Sequence, residues 1–163
     1  MLVIADSSPL IVLVNIGHIE VLPKLFGEVV IPPAVASEIA APARPQAVRN
    51  FAAARPTWLR VQAPAVVQQI AELHQGENEA LSLAMELHAD LVLIDERKAY
   101  REAVARKLNA VGTVRVLERA AAEDLLDLKD AFERLKQTDF WISHKLLDER
   151  VRLFQEPRRP QNP

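Results

Sequence analysis

The sequence predicts an α/β fold with three layers, in which helices cover both faces of a central, mainly parallel sheet. Short apolar runs such as 2–5 and 91–94 show no polar alternation, which is typical of strands buried on both faces. Segments with helical spacing of apolar residues separate these runs, and such alternation predicts parallel strands joined by helices. The 163 residues are enough for a hydrophobic core.

In the first half of the chain, a strand at 2–5 leads to a helix at 9–16. Ser8 before Pro9 fits an N-cap followed by proline at the first helical position, and Gly17 fits the helix end. Apolar runs and prolines then predict a helix at 19–25, a strand at 28–31, helices at 33–39 and 46–54, and a strand at 58–61.

In the second half, amphipathic spacing predicts a helix at 64–73, and Gly76 separates it from the next helix. The later elements are predicted by periodicity as helices at 77–87, 96–108, 114–125, 129–135 and 141–154, with strands at 90–94 and 110–113. We expect residues 1–155 to form one domain and residues 156–163, rich in proline, to form a disordered tail.

Composition excludes several classes of function. The chain has no cysteine, which removes disulfides, thiolate metal sites and cysteine nucleophiles and fits a reducing, cytoplasmic setting. We find no signal peptide and no apolar run near the roughly 20 residues that span a bilayer, so no membrane association is predicted. The net charge of −2 argues against a strongly basic surface, although basic residues concentrate within 97–119.

Carboxylates recur at the ends of predicted strands. Asp6 and Asp95 each follow an apolar run, and parallel strands place their carboxyl ends at one edge of the sheet. Glu38 and Glu79, with Glu77 nearby, lie on helices that can reach this edge. Two charges about 4 Å apart repel by about 4 kcal/mol at an effective dielectric of 20, so such a cluster needs cations or protons. Mg²⁺ or Mn²⁺ with oxygen ligands would neutralise it and support phosphodiester hydrolysis.

Each carboxylate also has an ordinary explanation. Asp6 and Asp95 could cap the helices that follow them, and Glu38 could be a solvated helix residue. Glu77 and Glu79 could complement a helix dipole. The occurrence of all four positions in one α/β order is what favours a functional site.

Four motifs resemble those of PIN-domain nucleases, and within them the small prokaryotic VapC-like toxin-type proteins. The motifs are IADSSPLI, PPAVASEI, GENEALSLA and LVLIDERKAYREA, and they occur in order over about residues 1–155. Two departures are present: Arg115 stands where the subgroup has glycine after Gly112-Thr113, and the third acidic position carries glutamate where aspartate is commoner.

The resemblance implies a PIN-like fold and a metal-dependent ribonuclease that uses Mg²⁺ or Mn²⁺ to activate water. The implied residue roles fall into three groups: metal ligands Asp6, Glu38, Glu79 and Asp95; supporting groups Ser8, Glu77 and Thr113; and phosphate contacts Arg97, Lys98, Arg101 and Arg115. The implied biology is an RNA-cleaving toxin that forms a homodimer and is neutralised by a small antitoxin. The basic residues could equally form an ordinary solvated helix face.

Two other classes of function compete with a ribonuclease. One is a PIN-like module without catalysis that binds RNA or a protein partner. The other is a phosphoryl-transfer or receiver-type domain, which would need a lysine or threonine at fixed strand ends that we do not find as a convincing set. Metal-dependent cleavage separates the ribonuclease from the binding module.

Overall fold

The structure, a computed structural model, describes residues 1–157. Strands and helices alternate along the chain, most of them short. In chain order they are β1 (Val3–Ala5), α1 (Ser7–Asn15), α2 (Val21–Phe26), β2 (Val29–Ile31), α3 (Pro33–Ile39), α4 (Gln46–Ala54), β3 (Leu59–Val61), α5 (Gln75–Glu86), β4 (Leu91–Leu93), α6 (Arg97–Ala105), β5 (Ala110–Val111), α7 (Thr113–Ala122), α8 (Leu128–Lys136) and α9 (His144–Gln155). The predicted tail falls mainly on residues 158–163, which lie outside the described part of the chain.

The five strands form one parallel sheet in the order β3-β2-β1-β4-β5. Successive residues of a strand point to opposite faces, and in β1, β2 and β4 both faces are buried. Val3 and Ala5 contribute to a core with α1, α7 and α8, whereas Ile4 joins a second core with α5 and α6. This arrangement confirms the predicted three-layer α/β/α fold with a central parallel sheet.

The connections reverse direction between β1 and β4. From β1 the chain adds β2 and β3 on one side, and it then returns to add β4 and β5 on the other. In an open α/β sheet this reversal leaves a crevice at the carboxyl ends of the two central strands, where ligand sites form. Asp6 and Asp95 follow these two strands.

The prediction of a helix at 64–73 is wrong. Residues 62–70 run without helix along α5, and side chains of α5 accept hydrogen bonds from their backbone N–H groups. Ser82 Oγ accepts from Gln68 N at 2.8 Å, and Asn78 Oδ1 accepts from Ile70 N at 3.0 Å. Ile70 still packs against the core, so its apolar character reflects docking rather than helix formation.

Three predicted helix starts also shift. α1 begins at Ser7, so Asp6 rather than Ser8 holds the N-cap position. α5 begins at Gln75 and therefore contains Gly76 in its first turn. α9 begins at His144, with Ser143 Oγ as its cap, so Trp141 lies before the helix rather than in it. No helix within residues 1–157 combines the length and apolar character that crossing a membrane requires.

Candidate active site

A cavity of about 1310 Å³ opens at the carboxyl ends of β1 and β4. Backbone pairing joins the two strand ends, because Asp6 N donates to Leu93 O at 2.9 Å. Six carboxylates contribute to the cavity wall: Glu96, Asp139 and four that the sequence analysis had named as site residues, Asp6, Glu38, Glu77 and Asp95. None of the ion pairs within residues 1–157 includes any of these four, so no lysine or arginine there neutralises the cluster directly.

Asp6 is the most strongly perturbed of the four. Its residue surface is only 3% exposed, and its Oδ1 atom is buried without a hydrogen-bond partner among the described residues. Burial, with smaller contributions from the charges of Glu77, Glu38 and Asp95, raises the pKa of Asp6 from 3.8 to about 7. The folded protein therefore holds an ionised Asp6 only at a free-energy cost.

Glu38 approaches from α3 and is held in place by two neighbours. Ser7 Oγ donates to Glu38 Oε2 at 2.5 Å. The carboxylate also lies against Gly76 of α5, where an added Cβ would come within 2.9 Å of the same oxygen. Only a residue without a side chain leaves this space open, which gives Gly76 a positional role that its sequence context alone did not indicate.

Asp95 is held by the start of α7. Thr113 N donates to Asp95 Oδ1 at 2.7 Å, and Thr113 Oγ1 donates to Oδ2 at 2.6 Å. Burial raises the pKa of Asp95, while hydrogen bonds from Thr113 and Ser8 act in the opposite direction. The structure thus places Thr113 and Ser8 beside the carboxylate of Asp95.

Glu79 was predicted to face the site with Glu77 as its support, and the structure exchanges the two positions. Glu77 lines the cavity, is 6% exposed, and accepts from His74 N at 2.9 Å. Burial is the main cause that raises the pKa of Glu77. Glu79 instead turns to α3, where its Oε2 accepts from Ala34 N at 2.9 Å, and it is not part of the cavity wall. Residues two apart on a helix face different directions, so only one of them can reach the site.

Only Arg97 of the four predicted phosphate contacts lines the cavity. Lys98 forms an ion pair with Glu72, while Arg101 and Arg115 are exposed on α6 and α7 and are not part of the wall that residues 1–157 form.

Arg44 is a cavity residue that sequence reasoning missed. Its Nε donates to Glu38 O at 3.0 Å, and it lies in a proline-rich loop without helical or strand periodicity to mark it.

The donor set fits a hard divalent cation, although the carboxylates do not form a compact cluster. No three histidine or acidic side chains within residues 1–157 converge closely enough to hold a metal by themselves. Mg²⁺ keeps several waters and is usually bound through one or two carboxylates, so it does not require three. The buried, unpartnered Oδ1 of Asp6 is the oxygen that such an ion would satisfy.

Comparison with known proteins supports a single family. A family model described as PIN domain matches residues 2–156. A PilT N-terminus domain protein from the hyperthermophilic archaeon Sulfolobus solfataricus P2 shares the fold, with a TM-score of 0.56 and 18% identity over 74% of this chain and 93% of its own. No curated protein matches. The chain belongs to the PIN-domain family, whose members are generally nucleases.

Proposed function

We propose that this protein is a ribonuclease that depends on Mg²⁺ or Mn²⁺ and hydrolyses RNA phosphodiester bonds. The observation that carries the proposal is the buried Asp6 carboxylate, whose Oδ1 lacks a partner among the described residues in a cavity with five further carboxylates. A PIN-domain chain with such a cavity at the switch point of its sheet fits nuclease chemistry better than a structural role.

The carboxylates proposed to bind the metal are Asp6, Glu38, Glu77 and Asp95, one or two of them directly and the others through waters that the ion keeps. Glu77 takes the place predicted for Glu79, because it is Glu77 that lines the cavity. A bound divalent cation supplies a Lewis acid that activates water and neutralises phosphate charge.

The supporting residues hold the acids and the substrate. Ser7 and Thr113 orient Glu38 and Asp95 through the hydrogen bonds described above. Arg97 and Arg44 lie on the cavity wall, where they can contact RNA phosphates.

The biological role we propose is that of a cytoplasmic toxin of a toxin–antitoxin pair, of the VapC-like subgroup. Its resemblance to the small prokaryotic toxin-type proteins supports this role, and we propose as partners a second copy of the chain and a small antitoxin. Induced expression of the native chain should arrest growth, whereas expression of the Asp6→Asn variant should not. Equal growth with both variants would argue against a toxin.

A module that binds RNA or a protein without catalysis is the second candidate. The observation in its favour is the lack of three convergent metal-binding side chains within residues 1–157. Against it stands the cost of burying Asp6, which a binding module has no reason to bear.

The decisive experiment is cleavage of a mixed RNA pool with Mg²⁺, Mn²⁺ or EDTA. We expect cutting with a metal, none with EDTA, and a loss of at least about 100-fold in Asp6→Asn, since the general magnitude of removing one electrostatic group at a reacting centre is 10²–10³. Binding without cutting by folded native protein would favour the second candidate.

Two variants of α5 form a matched pair for the same assay. Glu77→Gln removes a carboxylate that lines the cavity, and Glu79→Gln removes one that lies two residues away and contacts α3. We expect a large loss of activity in the first and a change of no more than about threefold in the second, once thermal unfolding shows both to be folded. The reverse pattern would restore Glu79 as the ligand.

A further inference from the structure

Trp141 is exposed at the mouth of the acidic cavity. It lines the same wall as Asp6 and Asp95, yet 97% of its surface is accessible to solvent. Tryptophan is usually highly buried because its ring carries a large apolar area. Contacts within the described chain therefore do not explain why this ring stands where it does.

The segment that carries Trp141 is anchored on both sides. Phe140 and Ile142 pack against the hydrophobic core, so Trp141 lies between two inward-facing neighbours. Thr138 Oγ1 accepts from Phe140 N at 3.2 Å and donates to Leu135 O at 2.7 Å. On the other side, Ser143 caps α9. The indole is thus attached to a fixed segment and is presented to solvent beside the carboxylates.

The rest of the wall supplies what a nucleic-acid strand needs. Arg44 and Arg97 provide positive charge for phosphates, and the cavity volume of about 1310 Å³ exceeds the roughly 300–1000 Å³ of small-molecule sites. Arginines bind backbone phosphates, and an exposed aromatic face beside them is a surface on which unpaired bases stack. A duplex cannot use it without unstacking a base.

We propose that Trp141 is a base-stacking residue that binds an unpaired base of a single-stranded RNA whose backbone enters the cavity. This inference rests on the proposed function for the reaction that follows binding, but the stacking contact itself does not require cleavage. Stacking on Trp141 would make the protein bind single-stranded RNA in preference to duplex RNA.

A second copy of the chain is the competing occupant of this surface. Leu146, Leu153 and Phe154 on α9 are partly exposed, as a dimer contact would require. The cores of protein interfaces, however, are depleted in charged residues, and the wall around Trp141 contains six carboxylates and two arginines. This density of charge disfavours an apolar protein surface at Trp141. RNA phosphates would be held by Arg44 and Arg97 and by the divalent cation of the proposed function, which offsets the carboxylates.

Tryptophan fluorescence isolates the contact because the chain has two tryptophans. In an Asp6→Asn background, Trp58→Phe leaves only Trp141 as a fluorophore, and Trp141→Phe leaves only Trp58, which packs against Phe51 with ring centroids 5.9 Å apart. Titration with a single-stranded oligoribonucleotide and Mg²⁺ should quench the fluorescence of the Trp58→Phe variant and not that of the Trp141→Phe variant. The matching duplex should quench the fluorescence of Trp58→Phe less at equal concentration.

Affinity and kinetics give the quantitative test in otherwise native protein. Trp141→Ala should weaken RNA binding at least about fivefold and raise KM with little change in kcat, whereas Trp141→Phe should stay within about threefold of native, since stacking tolerates any aromatic ring. Phe154→Ala, which removes an exposed aromatic outside the cavity wall, should bind RNA as the native protein does.

Three results would overturn the inference: no quenching of Trp141 by RNA, a native KM in Trp141→Ala, or a dimer in sedimentation that Trp141→Ala converts to monomer. Failure of the proposed function looks different. If Trp141 is quenched by single-stranded RNA but native protein cuts no RNA with either metal, the nuclease proposal fails and the stacking contact stands.

Discussion

The ionised carboxylate of Asp6 should destabilise the folded protein when no cation is bound. Its pKa is raised from 3.8 to about 7 in the fold, chiefly by burial. A carboxyl group with a raised pKa holds its proton more tightly when folded than when unfolded. Its unfavourable contribution is therefore absent below the unfolded pKa, grows as pH rises from about 4 to about 7, and stays constant above that.

The Asp6→Asn variant removes this contribution while nearly preserving the shape of the side chain. One pKa unit corresponds to 1.36 kcal/mol, so the difference between 3.8 and about 7 sets a limit of about 4 kcal/mol at pH 8. For a chain of this size, each kcal/mol shifts the melting temperature by about 2–4 °C. We expect Asp6→Asn to melt up to about 15 °C above native protein at pH 8 and close to it at about pH 4.

The assay is urea unfolding of both proteins in EDTA across this pH range. Glu77 and Asp95 also have raised pKa values and His18 a lowered one, but all three remain in both proteins. The difference in unfolding free energy therefore reports the burial of Asp6 together with its repulsion by the neighbouring acids. Adding Mn²⁺ at pH 8 should stabilise native protein more than Asp6→Asn. A free-energy difference that does not change with pH would refute the assigned burial cost.

Three further substitutions test individual contacts. Gly76→Ala should displace the Glu38 carboxylate and reduce RNA cleavage at least about tenfold, and native activity would contradict the contact. The free energy of unfolding in urea should change by no more than about 1 kcal/mol, because alanine favours the helix. Thr113→Val should lower the free energy of unfolding in urea by about 1–3 kcal/mol, because a hydrogen bond to the ionised Asp95 is lost. The same loss should raise the pKa of Asp95 further, which NMR titration measures. Phe132→Ala should cost about 3–5 kcal/mol by the same unfolding assay, as it empties a fully buried position in α8, and a loss below about 1 kcal/mol would contradict its place in the core.

The sheet and the positions of Asp6 and Asp95 could be predicted because local pattern and tertiary structure agree there. An unbroken apolar run can be satisfied only by burial on both faces, and the residue after such a run must lie at the sheet edge. The prediction of a helix at 64–73 failed because local pattern and tertiary structure disagree there. The apolar spacing of this segment is helical, but Ser82 and Asn78 of the following helix α5 accept hydrogen bonds from its backbone N–H groups and hold it without helix.

The exchange of Glu77 and Glu79 shows what the missing signal was. Both lie in the first turns of one helix, and helical spacing alone cannot say which faces the cavity. The helix start decides it: with His74 as N-cap, Glu77 is the third helical residue, and its carboxylate reaches back to His74 N as in a capping box. The sequence analysis takes Gly76 as a break between two helices and therefore predicts a start two residues late, whereas Gly76 lies inside the first turn of α5.

The cost of burying Asp6 and its capacity to bind a cation have the same physical origin. The end of β1 removes the carboxylate from water, and the other acids on the cavity wall disfavour its charge further. A fold that served stability alone would do as well or better with an apolar residue there, because replacing a buried charge with packed apolar atoms is often stabilising. Hydrogen bonds from Ser7 and Thr113 support two of the neighbouring acids and leave Asp6 Oδ1 without a partner. A ligand that carries positive charge is what this geometry lacks, and the stability that it restores would measure its binding directly.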